Sequence, residues 1–339
     1  MKKELYLLFL LSVFISACEQ VVEVELNNNQ SSVVVEGYIE PYLPAYVFLS
    51  KSQAFFDEIN ETELNNLFIT DAKVTVTRDD GEKRLLTHVS QEIVDSISDY
   101  FNIDRVTLPF YSIYIDLNPS FEDFNQVNHT FNLNIELNNI TINADTYIPP
   151  SFDIDSVWCE CKNEIGKEYE CYIHTIIHDA DTFGNILYAQ YKRYDGESID
   201  KNFRICSRFL RTDFIWNGTD YPAFFARSGV LINEEGDGGL LPFFAERIEN
   251  GSLLAKDKVI FKISQISNKT YLFLRSKKLQ QELNNNPFGE PSNVISNIDG
   301  GLGVWAGLGS LYYNLDVDRN TIIYENYKPS IIDIFNTYY

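Results

Sequence analysis

From residue 72 to residue 77 apolar and polar side chains take turns: Val74 and Val76 to one side, Lys73, Thr75 and Thr77 to the other. A period of two predicts a half-buried strand, because successive side chains leave opposite faces of a pleated backbone. Asp79-Asp80-Gly81 follows as a hairpin signal, and residues 83–86 return. Upstream, residues 31–39 are rich in β-branched side chains and residues 46–49 form a second apolar run, with Pro41 and Pro44 marking the turn between. Residues 91–101 change the period: Ile93, Val94, Ile97 and Phe101 predict a short amphipathic helix. Residues 110–117 and 130–137 read as strands, and residues 141–148 answer the second across Asn138-Asn139. Pro149-Pro150 stops the pattern, and a domain boundary is expected there.

Strands resume at 153–159, 169–177, 186–194 and 203–210. Phe214-Ile215-Trp216 and residues 219–225 flank Asn217-Gly218, a strong two-residue hairpin signal. Residues 258–266 read as a further strand. Tyr271, Leu272, Arg275, Lys278, Leu279 and Glu282 then suit a helix over 268–283, with Ser267 or Asn268 as N-cap. Residues 284–315 are rich in Gly and Asn and end in Gly309-Ser310-Leu311-Tyr312-Tyr313, a closing strand. The fold class expected is mainly β: two antiparallel β-sandwich-like domains with one or two short helices. Residues 31–150 form the N-terminal Ig-like sandwich; residues 151–339 form the β-rich second domain carrying the helix.

The start of the chain belongs to neither domain. Lys2 and Lys3 precede an apolar run from Leu5 to Ile15, which is too short to span a bilayer. It ends in Ser16-Ala17-Cys18, the pattern of a bacterial lipoprotein signal. On this reading residues 1–17 are removed, Cys18 is acylated, and residues 18–30 are a polar tether. Each buried acyl methylene contributes about 0.8 kcal/mol, so two or more chains bind a membrane in effect permanently. Composition suits two ordinary domains, at 45% hydrophobic and 14% aromatic residues. The net charge of −22 repels nucleic acid and anionic lipid, which excludes DNA, RNA and polybasic membrane-binding roles.

With Cys18 on lipid, Cys159, Cys161, Cys171 and Cys206 remain, an even set read first as disulfides in an exported chain. Residues 163–168 look like a turn between two strands. Centring that turn between Ile165 and Gly166 gives one register, and a shift by one residue gives another. The shifted register sets Cys161 opposite Cys171 and Cys159 opposite Ile173. Opposed residues lie about 4.5–5.5 Å apart, within disulfide range. Cys159 is then left to pair with Cys206, from a strand that would have to lie alongside. Trp216, beside its turn, is a candidate partner contact, against the alternative that its ring folds back on the sheet.

Other chemistry has less to stand on. Cys159, Cys161, Cys171, His174 and His178 are zinc-type ligands close in sequence, but without C-x₂-C spacing and in an oxidising context. Asp179-Ala180-Asp181-Thr182-Phe183-Gly184 begins like a calcium loop, yet Phe183 and Gln190 stand at ligand positions, so a plain turn is expected. The sequence contains no Gly-x-Ser-x-Gly elbow, P-loop or His-Glu-x-x-His. No cofactor, metal or catalytic residue is therefore assigned. The many aromatic residues suit sandwich core or sugar-stacking platforms.

Asn286-Pro287-Phe288, together with Ser296-Asn297-Ile298-Asp299-Gly300-Gly301-Leu302-Gly303-Val304-Trp305-Ala306-Gly307, resembles the C-terminal signature of an uncharacterised lipoprotein family. It is family 4249 among the domains of unknown function. Val33-Val34-Val35-Glu36-Gly37 with Ile39-Glu40-Pro41 resembles its first strand, and Asp71-Ala72-Lys73-Val74-Thr75-Val76 its strand before the Asp-Gly turn. Ile148-Pro149-Pro150 and Ile154-Asp155-Ser156-Val157-Trp158 resemble its junction. The chain departs from the pattern at Val127-Asn128-His129-Thr130-Phe131, where members usually carry a Gly-containing turn, and in its cysteines. Gly300, Gly301 and Gly303 do not open onto a helix as a dinucleotide fingerprint would; they are expected to let the chain pass close to another strand beneath Trp305.

The resemblance implies a Gram-negative envelope protein, commonly encoded beside TonB-dependent outer-membrane transporters, and no catalytic residues. The function expected is that of a lipid-anchored outer-membrane protein, a non-enzymatic accessory or ligand-capturing partner of such a transporter in nutrient uptake. A glycan or peptide is the ligand class, and either face of the outer membrane is open. The rivals are a free-standing carbohydrate- or peptide-binding module and an envelope hydrolase.

Overall fold

The alternation read from the sequence reappears as burial. In β1 (Val33–Glu40) Val33 and Val35 face inward, and β2 (Leu43–Lys51) pairs with it antiparallel. A computed structural model describes residues 32–52, 67–101, 112–162, 169–195, 200, 203–212, 217–232, 238–249, 252–254, 256–284, 293–318, 322–325, 327–329, 331 and 334. Cys18, the tether and Trp216 lie outside the described residues.

Next come β3 (Lys73–Arg78) and β4 (Lys83–His88), joined through Gly81 at φ 92°. Helix α1 (Gln91–Phe101) is where the sequence places it. Among the described residues of the strand expected over 110–117, Ile113–Ile115 forms β5. A short turn of helix, α2 (Phe121–Phe124), leads into β6 (Thr130–Leu137) and β7 (Ile140–Tyr147), whose hairpin turns at Asn138 with φ 51°. Asn128 sits at φ 65°. An asparagine thus holds a left-handed backbone position there, as that residue type does more readily than most others besides glycine.

The second half contributes β8 (Val157–Lys162), β9 (Glu170–His178), β10 (Ile186–Asp195), β11 (Arg204–Thr212), β12 (Asp220–Phe225), β13 (Arg227–Ile232) and β14 (Gly238–Leu241). β15 (Phe243–Phe244), β16 (Arg247–Glu249), β17 (Ser252–Leu254) and β18 (Lys258–Ile266) follow. Helix α3 (Asn268–Asn284) starts where Ser267 Oγ accepts the Thr270 N–H at 3.3 Å, an N-cap bond. β19 (Leu302–Asp316) and β20 (Ile322–Ile323) complete the elements. The first arm of the hairpin expected at Asn217-Gly218 lies outside the described residues; its second arm is β12, which pairs with β9.

The fold is mainly β, as expected, with a large mixed sheet in the order β11-β10-β18-β19-β1-β2-β5-β4-β3-β6-β7. A smaller sheet runs β12-β9-β8-β20, with β15 also on β9. Two expectations are corrected. The tail strand is not a short closing piece: β19 is long and central, parallel to β1 and antiparallel to β18. The sheet is therefore not purely antiparallel, and it continues through the expected boundary at residue 150.

Two main cores meet along this sheet. The first gathers Val35, Val47, Val76, Leu133, Ile142 and Trp305, because the sheet curls until Asn143 of β7 bridges Asp299 before β19. The second lies between the small sheet (Cys159, Ile173, Phe225) and the large one (Tyr191, Phe261, Tyr313), two layers as in a sandwich. Trp305 is fully buried, and its indole N–H donates to the Phe131 carbonyl at 3.0 Å. Gly37 makes room for that ring, since a Cβ there would lie 2.7 Å from it. Gly303, at φ 116°, lets β19 press on the Val35 carbonyl, so this glycine serves close approach as the sequence suggested.

Candidate functional site

β9 has two faces of different character. Cys171, Ile173, Thr175 and Ile177 are buried, while Tyr172, His174, Ile176 and His178 point the other way and reach the surface. Pairing with β8 sets Trp158 against His174 and Glu160 against Tyr172. Pairing with β12 sets Phe224 against His174 and Asp220 against His178. A row of rings thus crosses three strands: Trp158 and His174 stack at 5.9 Å, and His174 and Phe224 at 5.7 Å. Tyr172 meets Phe224 edge-on at 6.3 Å.

Beside this row an open groove of about 590 Å³ is lined by Glu160, Cys161, Lys162, Tyr172, His174, Phe224 and Leu240. Its polar groups are few and placed. Glu160 lies 3.2 Å from His174 Nε2, and Lys162 Nζ lies 5.9 Å from the centre of the Tyr172 ring. The Tyr172 hydroxyl donates to the Leu240 carbonyl at 3.4 Å, which fixes the ring. Burial pushes His174 below the ordinary histidine value, and Glu160 partly opposes that. Further along the strand His178 is held between Asp220 at 2.8 Å and Asp155 at 3.3 Å. Those two carboxylates raise its pKa.

Cys161 lies opposite Cys171 and is bonded to it, with Cα atoms 4.0 Å apart, so the shifted register is the one adopted. The second disulfide is corrected: Cys159 and Cys206 are both free and buried. β11, which carries Cys206, neighbours β10 in the large sheet and not β8 in the small one, so the two residues are contributed to one core by different sheets. Burial pushes the Cys159 thiol up to about 12, with Asp318 adding to the effect, and pushes Cys206 well up also. Both stay protonated and unreactive.

The zinc-type residues do not converge, because His174 and His178 lie on the outer face of β9 and Cys171 on the inner. Among the described residues no group of three or more His, Cys, Asp or Glu is arranged to hold a metal. In the loop that begins like a calcium site, Asp179 accepts from the Gly218 N–H at 3.3 Å and Asn185 at 3.2 Å, and Asp181 from Asn217 at 3.0 Å. These carboxylates are engaged in turn hydrogen bonds. A smaller cavity of about 80 Å³ lies against a buried ion pair, Lys262 to Glu40 at 2.8 Å, with Tyr312 donating to Glu40 at 2.9 Å. That cluster ties β1, β18 and β19 together. No described helix is long and apolar enough to cross a membrane.

Sequence reasoning did not single out Trp158, Tyr172 or Phe224. The signal for two of them was present, because the register that opposes Cys161 and Cys171 also opposes Trp158 to His174 and Tyr172 to Glu160. The signature residues of the tail turn out to be structural: Asn297 accepts from the Trp305 N–H at 2.9 Å and donates to its carbonyl at 2.8 Å. Neither a curated protein nor a solved structure matches the chain. The family described as a domain of unknown function, DUF4249, matches residues 19–310, and the chain belongs to that family.

Proposed function

We propose that this protein is a lipid-anchored, non-enzymatic capture protein of the outer membrane and an accessory to a TonB-dependent transporter in nutrient uptake. The observation that carries the reading is the groove beside Tyr172, His174 and Phe224, whose rings stay partly exposed on the outer face of the small sheet. Apolar walls with a few placed polar groups are what small-ligand sites share. The lipoprotein signal ending at Cys18 supports anchoring. With a net charge of −22, acyl chains rather than electrostatics would hold the body at a membrane. Trp216, beside the Asn217-Gly218 turn, is a proposed contact for the transporter.

Affinity purification of the tagged chain from detergent-solubilised outer membranes tests this. A TonB-dependent transporter is expected to co-purify, and Cys18→Ser is expected to leave uncleaved precursor or a soluble form. Co-purification of no transporter contradicts the accessory role, and a Cys18→Ser chain that fractionates with the outer membrane as wild type does contradicts the anchor.

A further inference from the structure

We propose that the groove takes a neutral oligosaccharide, stacked on Tyr172 and Phe224 and hydrogen-bonded by Glu160 and Lys162. This rests on the capture reading above and names its ligand class.

The first argument is the groove's place in the sheet. It lies on the face of β8, β9 and β12, where β9 pairs with β8 on one side and with β12 on the other, along the ladders that oppose Glu160 to Tyr172 and His174 to Phe224. An extended peptide draws its affinity from main-chain hydrogen bonds at a sheet edge. A sheet face offers side chains alone.

The second argument is charge. Among the described lining residues there are one carboxylate, Glu160, and one ammonium, Lys162, and burial favours the neutral form of His174. The lining therefore attracts neither sign strongly. The net charge of the full chain, −22, disfavours anionic ligands at long range. A neutral ligand fits best.

The third argument is the pairing of chemistries. A carboxylate only accepts hydrogen bonds and an ammonium only donates them. A sugar hydroxyl does both, so one ring can satisfy Glu160 and Lys162 together. Its C–H face meets the negative face of an aromatic ring. Tyr172 and Phe224 meet at 88°, a right-angled corner, and the Tyr172 hydroxyl bond to Leu240 holds that corner in place. The volume of about 590 Å³ lies within the usual range of small-ligand sites and suits a short oligosaccharide.

The test uses the full lipidated chain in a detergent without sugar headgroups. It is screened against neutral gluco-, manno-, galacto- and xylo-oligosaccharides and, in parallel, a library of neutral hexapeptides, and hits are titrated by calorimetry. At least one glycan is expected to bind, with affinity reduced tenfold or more in Tyr172→Ala and Phe224→Ala. The exposed variants Glu160→Gln and Lys162→Met are expected to weaken it severalfold without changing the melting temperature. They keep the test valid if removal of a ring unfolds the chain. Binding of no glycan, or binding undiminished in every variant, overturns the proposal. Peptide binding that the groove variants weaken, without glycan binding, overturns the glycan class and leaves the capture reading standing. Glycan binding with no co-purifying transporter does the reverse: it supports the ligand class and overturns the accessory role.

Discussion

His174 and His178 share one face of one strand, and their surroundings pull them in opposite directions. Burial lowers His174, against the opposing charge of Glu160, whereas hydrogen bonds that its ring donates to Asp220 and then Asp155 raise His178. The contribution of the His178 clamp to stability is full below the ordinary value of 6.5 and is lost as pH rises through the raised folded value. For His174 the direction reverses: its contribution is present above 6.5 and is lost as pH falls through the depressed value. Titration of the imidazole C–H resonances is expected to place His178 above 6.5 and His174 below it, and the opposite order would contradict the geometry. Such differences were not legible in the sequence, where both histidines appeared only as loose candidates for zinc. Phe224 was equally hidden, because β12 reaches β9 only after β10 and β11 have gone to the other sheet.

At the scale of elements, local pattern was a good guide to several pairings between neighbours in sequence, although it missed the β13–β14 and β16–β17 hairpins. Helix α1, the β6–β7 hairpin and the β8–β9 hairpin all follow from period and turn chemistry. The register of β8 and β9 gives a direct check. Unfolding without reductant, followed by alkylation and peptide mapping, is expected to label Cys159 and Cys206 and leave Cys161 and Cys171 blocked. Labelling of all four would contradict the fold of the small sheet. The double variant Cys161→Ser/Cys171→Ser is expected to cost about 2–3 kcal/mol, since the loop it opens is short. Where partners come from afar, sequence reading failed. The small residues of the tail announced a close approach, but nothing local says that β19 lies parallel to β1 or that Trp305 reaches the Phe131 carbonyl.

For the molecule as a whole, β19 matters most, because it gives Trp305 to the first core and Tyr313 and Leu315 to the second. A fragment of residues 32–150 would leave β1 without its parallel neighbour and the first core without its indole. It is expected to show no cooperative thermal transition by circular dichroism, and a sharp, native-like transition would contradict the dependence on β19. Capture on the outer face of the small sheet is read out by uptake into cells. Cells carrying Tyr172→Ala are compared with cells carrying Leu85→Ala, a change at an exposed position on β4. With equal amounts of anchored protein, uptake of the substrate of the co-purifying transporter is expected to fall tenfold or more for Tyr172→Ala and to hold at the wild-type rate for Leu85→Ala. Equal uptake by the two would contradict the claim that this groove captures the ligand.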